Sequence, residues 1–392
     1  MARPRILRKN RLAPDAEELL LLARSLAMSS SRLEDAFWES RLSEVIDRLL
    51  SCNDDESLNA ALDNLSKTDS RACDVLADTI ESRCESRPVG TKGEQSSLLI
   101  AAPVLAWSRY SIPAGQIPAD ILSNIRVQLS AHVLASDVLL GLADVLFSPD
   151  QLPQGFVDCA GLNDKLVKSA LASRDLHIDV GQLGQTINFL SDTRYVVGVV
   201  IAKPGAPLFR WQEADGGIAM RDQAALRWRE QGGGSLRPLL PACAGEALLP
   251  MAFYSACRDA DRQSRPYSIR ASVAFLGTTV NIEANQLSAV VAPFQDNRID
   301  EYRIGFVHKT TGDLVHGVVW PLLDTEDDNE TPAMVEAALR ECGIGDIKVI
   351  GHTFPLEYCD DCGTPLYPNC DEEAVHAELP ENNDMQTPQH LH

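Results

Sequence analysis

Apolar positions recur at helical spacing over roughly the first ninety residues of the chain, and mostly in short continuous runs after that. Leu19, Leu22 and Leu26 follow Pro14-Asp15, and a proline suits the first turn of a helix, where its missing N–H is not needed. Ser31-Arg-Leu-Glu34 has the S-x-x-E form of a capping box: the hydroxyl caps the amide three residues on and the glutamate reaches back, so a second helix is expected from there towards Leu50. Shorter helices are expected over 56–65 and 72–84, on either side of the polar break 66–70. Residues 14–90 therefore read as a helical layer.

The texture changes at Leu98. Leu98–Leu105 is an apolar run bounded by serine and proline, as expected of a strand covered on both faces. Residues 118–130 and 156–174 read as helices, and 137–147 fits either helix or strand. Tyr195–Ala202, the turn Lys203-Pro204-Gly205-Ala206 and residues 207–211 predict a hairpin, because Pro followed by Gly supplies type II turn dihedrals. A helix over 222–231 is expected to stop at Gly232–Gly234, a helix over 250–262 to precede a strand over 267–280, and strands 301–309 and 314–322 to be joined by Thr310-Thr311-Gly312-Asp313. An acidic linker over 324–330, a helix over 332–341 and a strand over 347–351 complete the reading.

These elements predict an α+β fold with a basic tail (1–13), an N-terminal helical layer (14–90), a central mixed strand/helix block (95–323), a C-terminal unit (331–380) and a disordered polar tail (381–392). The C-terminal unit joins a helix and a strand to a zinc-knuckle-like hairpin. An apolar strand followed by helix, strand and helix occurs after Leu98 and again after Tyr195, which suggests two similar halves, 95–190 and 191–323.

At 392 residues, 45% of them hydrophobic and 23% charged, the composition is that of a folded globular chain of two or three domains. No apolar run reaches the roughly 18 residues of a spanning helix. The first eleven residues hold five basic side chains but no apolar core of a secretory signal, so no membrane association and a cytoplasmic location are expected. Residues 324–392 carry 17 acids against two bases, −15 of a net −21. A field of that sign repels phosphate backbones and disfavours nucleic acid as a partner; RNA binding through the basic N-terminus would have to fall steeply with salt.

Seven of the ten cysteines (Cys52, Cys73, Cys84, Cys159, Cys243, Cys257, Cys342) stand singly and read as buried hydrophobes or idle thiols. The other three cluster. Cys359-Asp-Asp-Cys362-Gly363 has the spacing at which two thiolates of one tight turn converge on a zinc ion, Gly363 permitting the left-handed turn and Pro365-Leu366-Tyr367 starting the return strand. Cys370, eight residues on, and His376, six further, are the expected remaining ligands, with His352 as the competitor for the last place. Four such donors would make a structural zinc site rather than a catalytic one. An unliganded hairpin and a redox dithiol are the alternatives; the adjacent aspartates count against the dithiol, since negative charge raises a thiol's pKa.

His308 and His316 invite a paired-ligand reading. A turn centred on Thr311-Gly312 pairs His308 with Val315 and sends the two imidazoles to opposite faces. Gly232–Gly234 follows a helix and lacks the lysine of a phosphate-binding loop. Arg109, Tyr110, Arg210 and Tyr302 stand where arginine neighbours aromatic residues and are the candidate contacts of a pocket at the strand ends.

Five stretches together resemble a bacterial family known as domain of unknown function 2863: Ser31–Trp38, Ala101–Pro113, Tyr302–Gly305, His316–Pro321 and Phe354–Pro368. The resemblance spans nearly the whole chain and implies a bacterial protein; it brings no activity and no catalytic residue. The expected function is a zinc-stabilised scaffold presenting surfaces to a protein partner, and the alternative is an enzyme with a pocket in the central block.

Overall fold

The computed structural model describes residues 12–90, 93–296, 298–323 and 330–379. Nearly all of the basic tail and of the acidic linker, and the 381–392 tail, lie outside them.

The amphipathic N-terminal segments form α1 (Pro14–Ala27), α2 (Arg32–Ser51), α3 (Asp55–Thr68) and α4 (Ser70–Glu85). Polar side chains at their entries meet otherwise orphaned amides: Asp54 accepts from Ser57 N (3.0 Å) and Asp69 from Ala72 N (3.1 Å). Ser31 Oγ accepts from Glu34 N (3.3 Å), but the Glu34 carboxylate returns to Ser30 N, one residue before the expected partner. Leu19, Ile46, Leu58, Leu76 and Ile80 are fully buried along the helices' inner faces.

That layer packs on the first sheet. Its strands are β1 (Ser86–Val89), β2 (Gln95–Trp107), β3 (Gly115–Gln116), β4 (Leu139–Phe147), β5 (Ser191–Ala202), β6 (Ala244–Ala247) and β7 (Met251–Ala252). The order is β1-β2-β5-β4-β3, antiparallel throughout, with β6 and β7 also on β2. Residues alternate along β2: Leu99, Ala101 and Leu105 face the N-terminal helices and α6 (Phe156–Leu171), whereas Ile100, Ala102 and Val104 face α5 (Ala119–His132) and the segment around Trp228. Burial on both faces explains the unbroken apolar runs. β2 and β5 pair from Ser96↔Ala202 to Trp107↔Ser191, so strands from either side of residue 190 belong to one sheet.

Two expectations in this region are corrected. Gly205 does turn the chain, at φ +77°, but 207–211 does not pair with β5, because both edges of β5 are already occupied, by β2 and β4; Phe209 bridges Leu134 instead. Nor do the glycines at 232–234 end a helix: α7 (Ile218–Arg227) continues through a π-helical turn over 228–232 into α8 (Gly233–Leu236). Gly232 lies on the buried Trp228 indole, and a Cβ there would come within 2.3 Å of the ring.

The third correction is the largest. Residues 267–280 are not a strand but the second half of α9 (Phe253–Phe275) and its π-helical extension over 276–280. Helical periodicity holds across Pro266: Phe253, Ala256 and Ala260 pack in the first core, and Ile269 and Phe275 in the second. One helix thus serves both sheets, and the burial of both its halves outweighs the cost of an interior proline, about 3 kcal/mol.

The second sheet has the order β10-β9-β8-β11, with β12 also on β8: β8 (Leu287–Gln295), β9 (Ile299–His308), β10 (Leu314–Pro321), β11 (Ile347–Val349) and β12 (Phe354–Pro355). β11 and β12 run parallel to β8 after a crossover through α10 (Thr331–Glu341), so the C-terminal helix and strand belong to this sheet. Its inner face (Val291, Ile304, Phe306, Trp320) packs on α9 and α10. The C-terminal segment, with β13 (Tyr367–Pro368) and β14 (Ala374–Val375), covers its outer face (Val290, Ala292, Phe294, Val307, Leu314). A bulge between Leu314 and His316 sets His316 opposite Phe306, so by alternation His308 and His316 share a face, contrary to the simple register. They still form no pair: the His316 ring meets Ser272 Oγ at 3.0 Å in the core, and half-buried His308 meets Thr311 Oγ1 at 3.2 Å.

Candidate metal centre

Outer-face residues of β9 and β10 form a seat for the C-terminal segment. Gly305 and Gly317 are a cross-strand pair, and each lacks a side chain where the segment crosses. A Cβ on Gly305 would lie 2.2 Å from Pro368 O, and one on Gly317 2.3 Å from the Tyr367 ring. Tyr367 is buried there at 1% exposure. Beside it the buried Arg303 guanidinium donates from Nη1 to Glu357 O (2.7 Å) and Leu366 O (2.8 Å), pairs through Nε with Glu301 (2.6 Å) and lies over the Phe294 ring.

The knuckle grows from the two points that Arg303 holds. Cys359 N donates to Thr364 O and Gly363 N to Cys359 O (both 2.8 Å), Leu366 N to Glu357 O (3.2 Å), and Tyr358 bridges Pro365. Gly363 takes φ +72°, the left-handed geometry that the C-x-x-C-G pattern implies. The register Tyr367↔Val375 and Pro368↔Ala374 then returns the chain so that His376 arrives beside Cys362, with Nε2 3.3 Å from Sγ. The donor atoms of Cys359, Cys362 and His376 all lie within 4.8 Å of one another. Two sulfurs and an imidazole nitrogen suit a borderline-soft divalent ion.

Of the four expected ligands, three are together and one is elsewhere. Cys370 sits in the exposed turn beyond the β13–β14 ladder, at the opposite end from His376, and its carbonyl accepts from Lys348 Nζ at 2.9 Å. Lys348 also pairs with Glu372 (2.9 Å), which lies 3.7 Å from His352 Nδ1. The His352 ring packs beside Phe354, so His352 belongs to that end as well.

The Cys362 thiol runs against the sequence expectation. Its pKa is lowered to about 7, first by the Thr364 hydroxyl (3.0 Å), then by the Thr364 amide, with Cys359 and His376 assisting. Hydrogen bonds that favour the thiolate set the direction, and the placing of the Thr364 hydroxyl beside Sγ is not visible in the sequence.

The candidate pocket residues do not converge. Tyr302 is buried under the second sheet, Arg210 donates to Ser130 O (3.1 Å), and Arg109 stacks over exposed Tyr110. A cleft of about 370 Å³ instead lies between α9 and the knuckle, lined by Phe189, Ser191, Ser268, Tyr358 and Tyr367 among others. Sequence reasoning missed Arg303 as the anchor and Gly305/Gly317 as the seat. Gly305 and Gly317, each set in an apolar strand, were the one available signal.

The chain belongs to the family described as a protein of unknown function, DUF2863, whose model matches residues 4–390. No curated protein and no solved structure matches it. Among the described residues no helix is long and apolar enough to cross a membrane.

Proposed function

We propose that the protein is a cytoplasmic, zinc-stabilised scaffold in which the metal fastens the C-terminal segment over the outer face of the second sheet. The observation that carries this reading is the convergence of Cys359, Cys362 and His376 within 4.8 Å at the open end of that segment. The segment's own strands are two residues each, too short to hold it on the sheet by backbone ladders. A metal joining residues 359 and 376 closes a loop comparable to a disulfide loop of ~15 residues, worth about 3 kcal/mol by the chain-entropy argument. Zinc fits the donor set and has no redox chemistry of its own. Large apolar side chains exposed on and beside α1 and α2, with Met28 just after α1 at 83% and Leu33 on α2 at 87% among them, support the reading that the scaffold presents a surface to a protein partner.

Elemental analysis of reduced, tag-free protein tests the metal. One zinc per chain in the wild type and none in Cys359→Ser/Cys362→Ser is the expected result; a stably folded, metal-free wild type would remove the reading.

A further inference from the structure

Tetrahedral zinc takes four donors, and the converging group supplies three. Among the described residues no fourth histidine, cysteine, aspartate or glutamate joins it. Cys370 and His352 are held at the far end of the β13–β14 turn by the Lys348 and Glu372 contacts. The site lies at the surface: Cys362 is exposed, and Cys359 and His376 are half-buried. Two thiolates neutralise a divalent ion, and the exposed Asp360 and Asp361 set negative charge around it. That field disfavours a further anion and admits a neutral nitrogen base.

We propose that the centre holds its metal by Cys359, Cys362 and His376 alone among the described residues and keeps its fourth position exchangeable, selective for a neutral imidazole-type donor. This rests on the metal-binding reading above. It changes the role of the site from a closed staple to a staple with a socket, since closed structural sites use four protein donors and open ones three. Free imidazole, or a histidine of this chain beyond residue 379 (His390 or His392), carries the donor chemistry required.

The test uses full-length protein loaded with cobalt(II), whose ligand-field absorption reports the donor set. Imidazole and azide are titrated separately into the wild type, Cys370→Ser and His390→Ala/His392→Ala. The expected result is a saturable imidazole-induced shift of the visible bands with cobalt retained, a weaker response to azide, and a Cys370→Ser spectrum equal to that of the wild type. A shift seen only in the double histidine variant would identify the chain's own tail as the resident fourth donor and overturn the exchangeable position. Bands unmoved by imidazole in all three proteins, or a loss of thiolate-to-cobalt charge-transfer intensity in Cys370→Ser, would overturn the proposal while leaving metal binding intact. Failure to take up cobalt at all would overturn the metal reading itself.

Discussion

Arg303 Nη1 donates to the carbonyl oxygen of Leu366 at 2.8 Å, and the same nitrogen reaches Glu357 O at 2.7 Å, so one buried guanidinium on β9 holds both ends of the turn that carries Cys359 and Cys362. The strands on the cover are two residues each, and β13 and β14 pair only with each other, so these bonds tie that part of the segment to β9.

Arg303→Met is therefore expected to destabilise the fold by about 3–5 kcal/mol, because it leaves Glu301 and two carbonyls without their donor. Metal affinity should fall with it. Arg303→Lys should recover only part of the loss, since an ammonium lacks the planar fork. Urea unfolding and competition with a chromogenic chelator measure the two effects; a wild-type chelator curve for Arg303→Met would refute the anchoring role.

The glycine seat makes a second expectation. Gly317→Ala places a methyl 2.3 Å from the Tyr367 ring, and Gly305→Ala places one 2.2 Å from Pro368 O. Each should cost about 1–3 kcal/mol through displacement of the cover. Hydrogen exchange should quicken in residues 357–379 while β2 and β5 keep their protection. Unchanged exchange in the cover would mean that the seat accommodates a side chain.

Stability should also depend on pH through Glu85 at the end of α4. Burial pushes its carboxyl up from 4.5 to about 7, against the Tyr254 amide, which favours the charged form. Between these values the folded state holds the proton more tightly than the unfolded one. The stabilisation is complete below pH 4.5, declines as pH rises to 7 and is gone above it, a span of at most about 3 kcal/mol. Glu85→Gln should be more stable than the wild type at pH 8 and lack this slope, as read from chemical denaturation midpoints across the range.

Thiol labelling separates the cysteines. Cys84 and Cys159 are fully buried, and burial pushes the Cys159 thiol up to about 12, so neither should react before unfolding. Exposed Cys52, Cys362 and Cys370 should alkylate in the metal-free protein, with Cys362 fastest because its pKa is about 7. Zinc should then protect Cys359 and Cys362 and leave Cys52 and Cys370 reactive. Peptide mass spectrometry reads each site; protection of Cys370 equal to that of Cys362 would show that the donor set is wrong.

The elements most legible in the sequence were those whose burial follows a local period. α1 to α4 lie close to where leucine spacing and capping residues put them, and β2 and β5 where continuous apolar runs do. The misreadings share a cause. Residues 267–280 carry enough β-branched and aromatic side chains to resemble a strand, and only packing against two sheets makes that stretch helical. Residues 207–211 look like the second arm of a hairpin, but the edge they would join is taken by β4.

The sequence by itself determined the α+β class, the helical N-terminal layer, the left-handed turn at Gly363 and the two knuckle cysteines, because each depends on neighbours a few residues apart. Tertiary structure alone decided that His376 and not Cys370 joins them, that α9 is shared between two sheets, and that Arg303, Gly305 and Gly317 support the centre. Those outcomes depend on which strands pair and which face is left to be covered, and contacts between residues more than a turn or two apart in the chain leave no local period in it.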